Sequence, residues 1–365
     1  MDRLGENELK RVLLAGYKKY PLSQASDMLK LIFQNEFGCG HMAPDTSASL
    51  EMISREADAL AENALSGDSF DYIGNGICRL HLRLLRQSSL TPETLNAFFL
   101  YTANQQKGSA ESFEKKVSVL LGLCKSKIIP TQADKVWQLY EKIRMSGYPA
   151  VRHSQQFRAE YAPAYRVVLK RFCDYLPLFC KIDALQQQNK RLIVAIDGNS
   201  AAGKSSLAAL LKSIYSCHVF PMDHFFLRPE QRTSDRLSEA GGNIDYERFE
   251  EEVIGPLKSG TQFTYRPYDC RTGQLSAPIS ISPSPINIIE GAYSLHPRFG
   301  GAHDIKVFLS VDETEQRHRL LGRSANLYDR FIHEWIPMED KYFECFEVRR
   351  KCDLVFDTGA SENAT

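Results

Sequence analysis

Apolar residues recur at three- and four-residue spacing through the first half of the chain. The segments ENELKRVLLAGYKKY (6–20), SQASDMLKLIFQNEF (23–37), SLEMISREADALAENAL (49–65) and TQADKVWQLYEKIRM (131–145) each carry one apolar stripe, which predicts amphipathic helices. Thr91 followed by Pro92 and Glu93 predicts a helix start, with a capping hydroxyl ahead of proline at the first helical position. Strand-like runs are nearly absent up to residue 185, and neither an internal repeat nor a low-complexity tract is present. The period changes after the polar stretch DALQQQNKR (183–191). From Arg191 onward, short β-branched runs (RLIVAI, CHVF, INII, IKVFLSV, DLVF) alternate with helical stretches. Such alternation predicts parallel pairing with crossover helices. The expected organisation is an all-α domain over 1–185 followed by a doubly wound, mostly parallel α/β domain over 186–365.

The length of 365 residues agrees with two domains. With 43% hydrophobic and 25% charged residues, the composition is that of an ordinary globular protein. Acids and bases balance at 45 each, so no global field points to nucleic acid or to an acidic membrane as partner. No apolar stretch approaches the length of a membrane span, and the opening MDRLGENELKR has no apolar core of a secretory signal. The nine cysteines are scattered and form no CxxC pair, which predicts reduced thiols and a cytoplasmic protein.

The candidate chemistry concentrates in IVAIDGNSAAGKSSLAALL (193–211). Gly198, Asn199, Ser200, Ala201, Ala202, Gly203, Lys204 and Ser205 match GxxxxGK[ST], and Ser206 follows. A predicted buried strand precedes the motif and a predicted helix follows, the context a phosphate-binding loop requires. Glycines let the backbone curl so that successive N–H groups face phosphate oxygens, and the helix N-terminus adds its positive end. Lys204 can then reach the β- and γ-phosphates of ATP, and the Ser205 hydroxyl can ligate Mg²⁺. The structural alternative is a Gly/Ser-rich turn between strand and helix.

Residues 190–357 resemble the uridine kinase and phosphoribulokinase group of P-loop kinases. The likeness rests on the phosphate loop, FPMDHFF (220–226), GGNIDYERFEEEVIGPLKSG with YRPYD (241–269), INIIEGAYSLH (286–296) and the tail WIPMEDKYFECFEVRRKCDLVF (335–356), in that order. The resemblance implies an ATP- and Mg²⁺-dependent phosphotransferase acting on a hydroxyl of a small molecule. It implies that Asp223, just after the second strand, faces the acceptor hydroxyl as base, a role that suits a carboxylate at the ligand-binding edge of such a sheet. Glu290, at the end of INII, sits in a Walker-B-like place where a carboxylate can hold the metal or its water. The resemblance further implies that Asp245 binds sugar hydroxyls and Tyr268 belongs to the substrate pocket. It also implies a lid whose arginines, among Arg317, Arg319 and Arg323, neutralise the phosphoryl in transfer, with Arg319 catalytic and Arg323 on the nucleotide. Structural alternatives are a turn-capping aspartate for Asp223, a helix-capping acid for Glu290 and a solvated helix face for the arginines.

The chain departs from that family where uridine is read. After Tyr268-Asp269 the uridine kinases carry a phenylalanine and, three residues beyond it, a histidine; here those positions are Cys270 and Gly273. Cysteine cannot stack as a phenyl ring does, and glycine has no group to bond a base edge. The acceptor is therefore open among nucleosides, sugars and other small alcohols. The segment 323–335 is also shorter than the family's charged lid.

The first 185 residues lie outside the resemblance. Cys39, His41, Cys78 and His81 are zinc-compatible residue types at non-standard spacing. Arg79 and Arg83, read as one helix face, with Arg152, Arg158 and Arg166, could hold a small phosphorylated ligand. A structural or dimerising helical domain, giving a homo-oligomer, is the plain expectation. Two rival functions remain open: a regulatory module in which ATP switches the helical domain, and a bifunctional enzyme with a second activity in that domain. No NKxD motif supports a GTPase.

Overall fold

A computed structural model describes residues 3–39, 45–61, 67–105, 108–188 and 191–359. The chain forms two compact units, Met1–Asp183 and Ala184–Thr365.

The N-terminal unit carries helices at the four predicted segments, the third as Thr46–Asp58, and a further helix, Ala110–Lys125, that the sequence reading did not single out. Arg3–Lys19, Ala25–Phe37, Ala110–Lys125 and Ala133–Met145 bury their apolar stripes in one core around Leu13, Leu29, Ile32, Phe113 and Leu120. Helix Pro92–Gln105 starts where Thr91 predicts it, and the Thr91 hydroxyl accepts a bond from the Thr94 amide at 3.2 Å. The unit is not all-α, however. Strands β1 (Phe70–Tyr72), β2 (Ile77–His81) and β3 (Tyr165–Leu169) form an antiparallel sheet in the order β1-β2-β3. The reason is visible in β2, where all five residues are buried, Arg79 and His81 included. A strand covered on both faces shows no alternation of apolar and polar positions, so its period is hidden. Arg79 therefore lies on a strand, not on a helix face with Arg83.

In the C-terminal unit, β4 (Leu192–Gly198) and β5 (Cys217–Pro221) come first. Short strands β6 (Phe263–Tyr265), β7 (Tyr268–Asp269), β8 (Gln274–Leu275) and β9 (Ile279–Ile281) make two small antiparallel pairs. Strands β10 (Ile286–Glu290), β11 (Ile305–Ser310) and β12 (Leu354–Asp357) complete a five-stranded sheet in the order β12-β11-β4-β10-β5. Every pair in it is parallel, as the alternating pattern predicts. The order reverses direction around β4, and such a switch point opens a ligand crevice at the C-terminal strand ends. The phosphate loop leaves β4 at Gly198 on that edge, and Glu290 ends β10 there. All nine cysteines are free thiols. Among the described residues, no helix is long and apolar enough to cross a membrane.

Candidate nucleotide and phosphoryl-transfer site

Strand β4 turns into the loop at Gly198, where a side chain has no room. A Cβ there would lie 2.0 Å from the Leu309 carbonyl oxygen of β11. Positive φ at Ala201 (60°) and Gly203 (93°) curls the chain, and helix Lys204–Ile214 begins directly after it.

Buried side chains from later in the sequence clamp the loop from behind. The Asp197 carboxylate accepts from the Gly198 and Leu295 amides and from the Tyr342 hydroxyl. Glu339 accepts from the Ser200 amide (3.0 Å) and hydroxyl (2.7 Å). Gln316 donates to the Ser200 carbonyl at 2.9 Å, Arg319 to the Ala201 carbonyl at 3.2 Å, and the Thr358 hydroxyl to the Ala202 carbonyl at 3.0 Å. Burial pushes the carboxyls of Asp197 and Glu339 above their ordinary values, although their hydrogen bonds and Lys204 oppose it.

These bonds sort the loop amides. Those of Gly198, Ser200, Asn199 and Ala202 are committed to protein acceptors, the last two to the Leu309 and Asn199 carbonyls. Those of Ala201, Gly203, Lys204, Ser205 and Ser206 have no protein acceptor among the described residues. Five uncommitted N–H groups on a curled loop and a helix N-terminus make an anion nest. Asn199 and Ala202 thus shape the loop and do not offer amides to a ligand.

The front of the loop meets a cavity of about 510 Å³. The Lys204 ammonium donates to the Gly198 and Asn199 carbonyls at 2.8 and 2.9 Å, poised over the loop. The Ser205 hydroxyl lies 3.1 Å from both carboxylate oxygens of Glu290. Glu290 is buried; desolvation, with Asp223 adding to it, raises its carboxyl, while the Ser205 bond and Lys204 lower it. A hydroxyl and a carboxylate side by side are a hard-oxygen pair that suits Mg²⁺. Asp223, exposed on the turn Met222–Phe225 after β5, lines the same cavity.

Other sequence-predicted residues separate. Arg323 lines the cavity, joined by Arg232 and Arg330, which sequence reasoning missed. Arg319 does not line it; its guanidinium also bonds Glu315 and Thr358, so it positions the loop. Arg317 is exposed and pairs with Glu313. Asp245 is buried as the cap of helix Tyr246–Phe249, accepting from the Arg248 amide and from Gln231. Tyr268 is buried in the β7–β8 hairpin. Neither Asp245 nor Tyr268 lines the cavity, whereas Asn243, Cys270, Phe226 and Leu237 do. In the N-terminal unit, His41 lies outside the described residues; Cys39 and Cys78 are buried, and His81 bonds Asp71. No group of three or more His, Cys, Asp or Glu among the described residues is placed to hold a metal ion.

Strand, curled loop, helix and parallel sheet together give the C-terminal unit the architecture of a P-loop domain. No family model and no curated protein sequence matches the chain. Solved structures of uridine-kinase-like P-loop kinases match about half of it. A possible uridine kinase from Bacillus stearothermophilus is 25% identical, with 50% of this chain and 100% of that one covered, at a TM-score of 0.36. A fructose transport system kinase candidate from Silicibacter sp. TM1040 is 22% identical over 46% of this chain and 90% of that one, at a TM-score of 0.38.

Proposed function

We propose that the C-terminal unit is an ATP-dependent phosphotransferase that moves the γ-phosphoryl group to a hydroxyl of a small molecule. The observation that carries this reading is the meeting of Lys204, the Ser205–Glu290 pair and Asp223 on one cavity, in front of five uncommitted amides. The amides and Lys204 hold the polyphosphate of ATP. Ser205 and Glu290 are the residues that would hold Mg²⁺, which when bound would neutralise phosphate charge. Asp223 orients the acceptor hydroxyl and takes its proton as that oxygen bonds to phosphorus and the bond to ADP breaks. Arg323 and Arg330 supply positive charge beside the phosphoryl group in flight.

The acceptor end of the cavity mixes Asp223, Asn243 and Arg232 with Phe226, Leu237 and Cys270. Cys270 stands where uridine kinases place a stacking ring, so the acceptor stays open among nucleosides, sugars and other small alcohols. A turnover screen with Mg·ATP across nucleosides, pentoses and vitamin alcohols tests the reading. ADP release should be strongly stimulated by one class of alcohol, lost in Lys204→Ala and greatly slowed in Asp223→Asn. Full rate in Asp223→Asn would refute its assignment as base.

A further inference from the structure

The N-terminal unit carries a pocket whose charged lining is of one sign. It measures about 400 Å³ and is lined by Lys30, Arg152, His153, Arg158, Ala162 and Pro163. Lys30 lies on helix Ala25–Phe37, Arg152 in the segment leading into helix Gln155–Tyr161, and Arg158 on that helix. Buried Asp27 fixes this segment from behind. Its carboxylate accepts from His153 Nδ1 at 2.8 Å, and from the Ser154 amide and hydroxyl at 2.9 and 2.7 Å. Ser154 in turn caps the helix by accepting from the Phe157 amide at 3.0 Å. His153 Nε2 accepts from the Tyr165 hydroxyl at 2.7 Å, so both ring nitrogens are engaged. Burial lowers His153 to about 4 against the pull of Asp27, so the ring is neutral at neutral pH and the pocket's charge comes from Lys30, Arg152 and Arg158. Lys30 Nζ donates to the Val151 carbonyl at 3.0 Å, and Arg158 Nε to the Ser154 carbonyl at 3.5 Å. Among the described residues, none of the three cations pairs with a carboxylate. Lys30 registers the crowding: burial, then the charges of Arg79, Arg158 and Arg152, lower its ammonium to about 8, with Asp27 opposing. Like charges held in place repel and focus a positive field, which an anion relieves. Of the arginines singled out in the sequence, Arg152 and Arg158 meet here, whereas Arg166 pairs with Glu56 and Arg79 is buried on β2.

We propose that this pocket binds the phosphoryl group of a small phosphomonoester. The guanidinium forks of Arg152 and Arg158 suit the terminal oxygens of a phosphate, and Lys30 keeps two N–H groups beyond its bond to Val151. A dianion answers most of the charge of three cations, whereas a monocarboxylate would leave two of them unmatched. Ala162 and Pro163 give the organic body a small apolar edge, and the volume is that of a small-molecule pocket. The site lies wholly within the N-terminal unit and does not rest on the phosphotransferase reading of the other unit.

The test uses the full-length protein, with glycerol 3-phosphate, inorganic phosphate and glycerol as probes. Calorimetric titration compares the wild type, the double variant Arg152→Gln/Arg158→Gln and Lys204→Ala, which disables the phosphate loop. It is combined with acetylation of Lys30 by acetic anhydride, read by mass spectrometry. Glycerol 3-phosphate should bind the wild type and Lys204→Ala alike and slow Lys30 acetylation in both, and glycerol should do neither. The double variant should bind it more weakly by at least roughly tenfold to a hundredfold, the value of one hydrogen bond to a charged group. Unchanged affinity in the double variant overturns the proposal, as does Lys30 acetylation indifferent to glycerol 3-phosphate in the wild type. Binding of inorganic phosphate without binding of glycerol 3-phosphate overturns the assignment to a phosphomonoester. Binding that survives in the double variant and vanishes in Lys204→Ala would place the anion on the phosphate loop and overturn it too. Both arginines are exposed, so the double variant should fold; should it not, the Lys30 result in the wild type decides.

Discussion

Two glycines of the phosphate loop are needed for different reasons, and alanine distinguishes them. At Gly198 (φ 134°), an added Cβ would lie 2.0 Å from the Leu309 oxygen, 2.7 Å from its nitrogen and 2.8 Å from its carbonyl carbon. All three are main-chain atoms of β11, so no side chain can swing away, and β4 and β11 must part. Backbone strain at such a φ costs about 1–3 kcal/mol. Overpacking adds about 1–3 kcal/mol. Loss of the bond from the Asn199 amide to the Leu309 carbonyl, 3.1 Å long, adds about 0.5–1.5 kcal/mol. The sum, about 2.5–7.5 kcal/mol, is comparable with the whole stability of a domain. At Gly203 (φ 93°) no atom lies within 4 Å of the added Cβ. Only the left-handed backbone penalises alanine there, by about 1–2 kcal/mol. The chain has two tryptophans, Trp137 and Trp335. A Trp137→Phe background leaves Trp335 as the fluorescence reporter of the C-terminal unit. Denaturant unfolding in that background should show Gly198→Ala far less stable than Gly203→Ala. Equal midpoints, or a wild-type midpoint for Gly198→Ala, refute the steric argument.

Glu290→Gln should keep the fold, because it removes a charge that burial disfavours, yet raise the Mg²⁺ requirement of nucleotide turnover roughly tenfold or more; magnesium titrations would show it, and an unchanged requirement contradicts the metal assignment. Because burial raises the Glu290 carboxyl, it takes up a proton at higher pH than an ordinary glutamate. Magnesium dependence should therefore steepen as pH falls toward the carboxylate range, and a pH-independent requirement speaks against it. In the N-terminal unit, burial lowers His153 from 6.5 to about 4, with the Arg79 and Lys30 charges adding to this and Asp27 opposing it. The folded state thus binds the proton more weakly than the unfolded one, so stability is full above pH 6.5 and drains as pH falls toward 4. Trp137 fluorescence in denaturant series at several pH values follows this, and His153→Gln should flatten the slope. Arg319→Met should loosen the Ala201 carbonyl and weaken nucleotide binding without altering the acceptor preference, which a comparison of ATP affinity and alcohol selectivity would separate.

The front of the site was legible because its chemistry needs neighbouring residues. Gly198 to Ser205 must be contiguous to curl around phosphate, and Asp223 and Glu290 each end a short apolar run. The clamps behind the loop were not legible. Gln316, Glu339 and Thr358 reach Ser200 and Ala202 across 116, 139 and 156 residues of sequence, and nothing local marks them. The resemblance drew Arg319 into the cavity because spacing gives the helix but not the face that meets the loop. Likeness alone puts Asp245 and Tyr268 in the pocket, while the cap of helix Tyr246–Phe249 and the β7–β8 hairpin hold them elsewhere. In the N-terminal half the helices were plain from their stripes. The sheet was hidden because β2 is covered on both faces and carries a buried arginine and histidine.

Amide exchange over residues 198–207, with and without Mg·ATP, bears most directly on the central assignment. Binding should slow exchange at Ala201 and at Gly203 through Ser206, the amides without protein acceptors, and leave Asn199 and Ala202 nearly unchanged. Lys204→Ala should abolish the effect. Exchange unaltered by Mg·ATP across this loop in the wild-type protein would contradict the account.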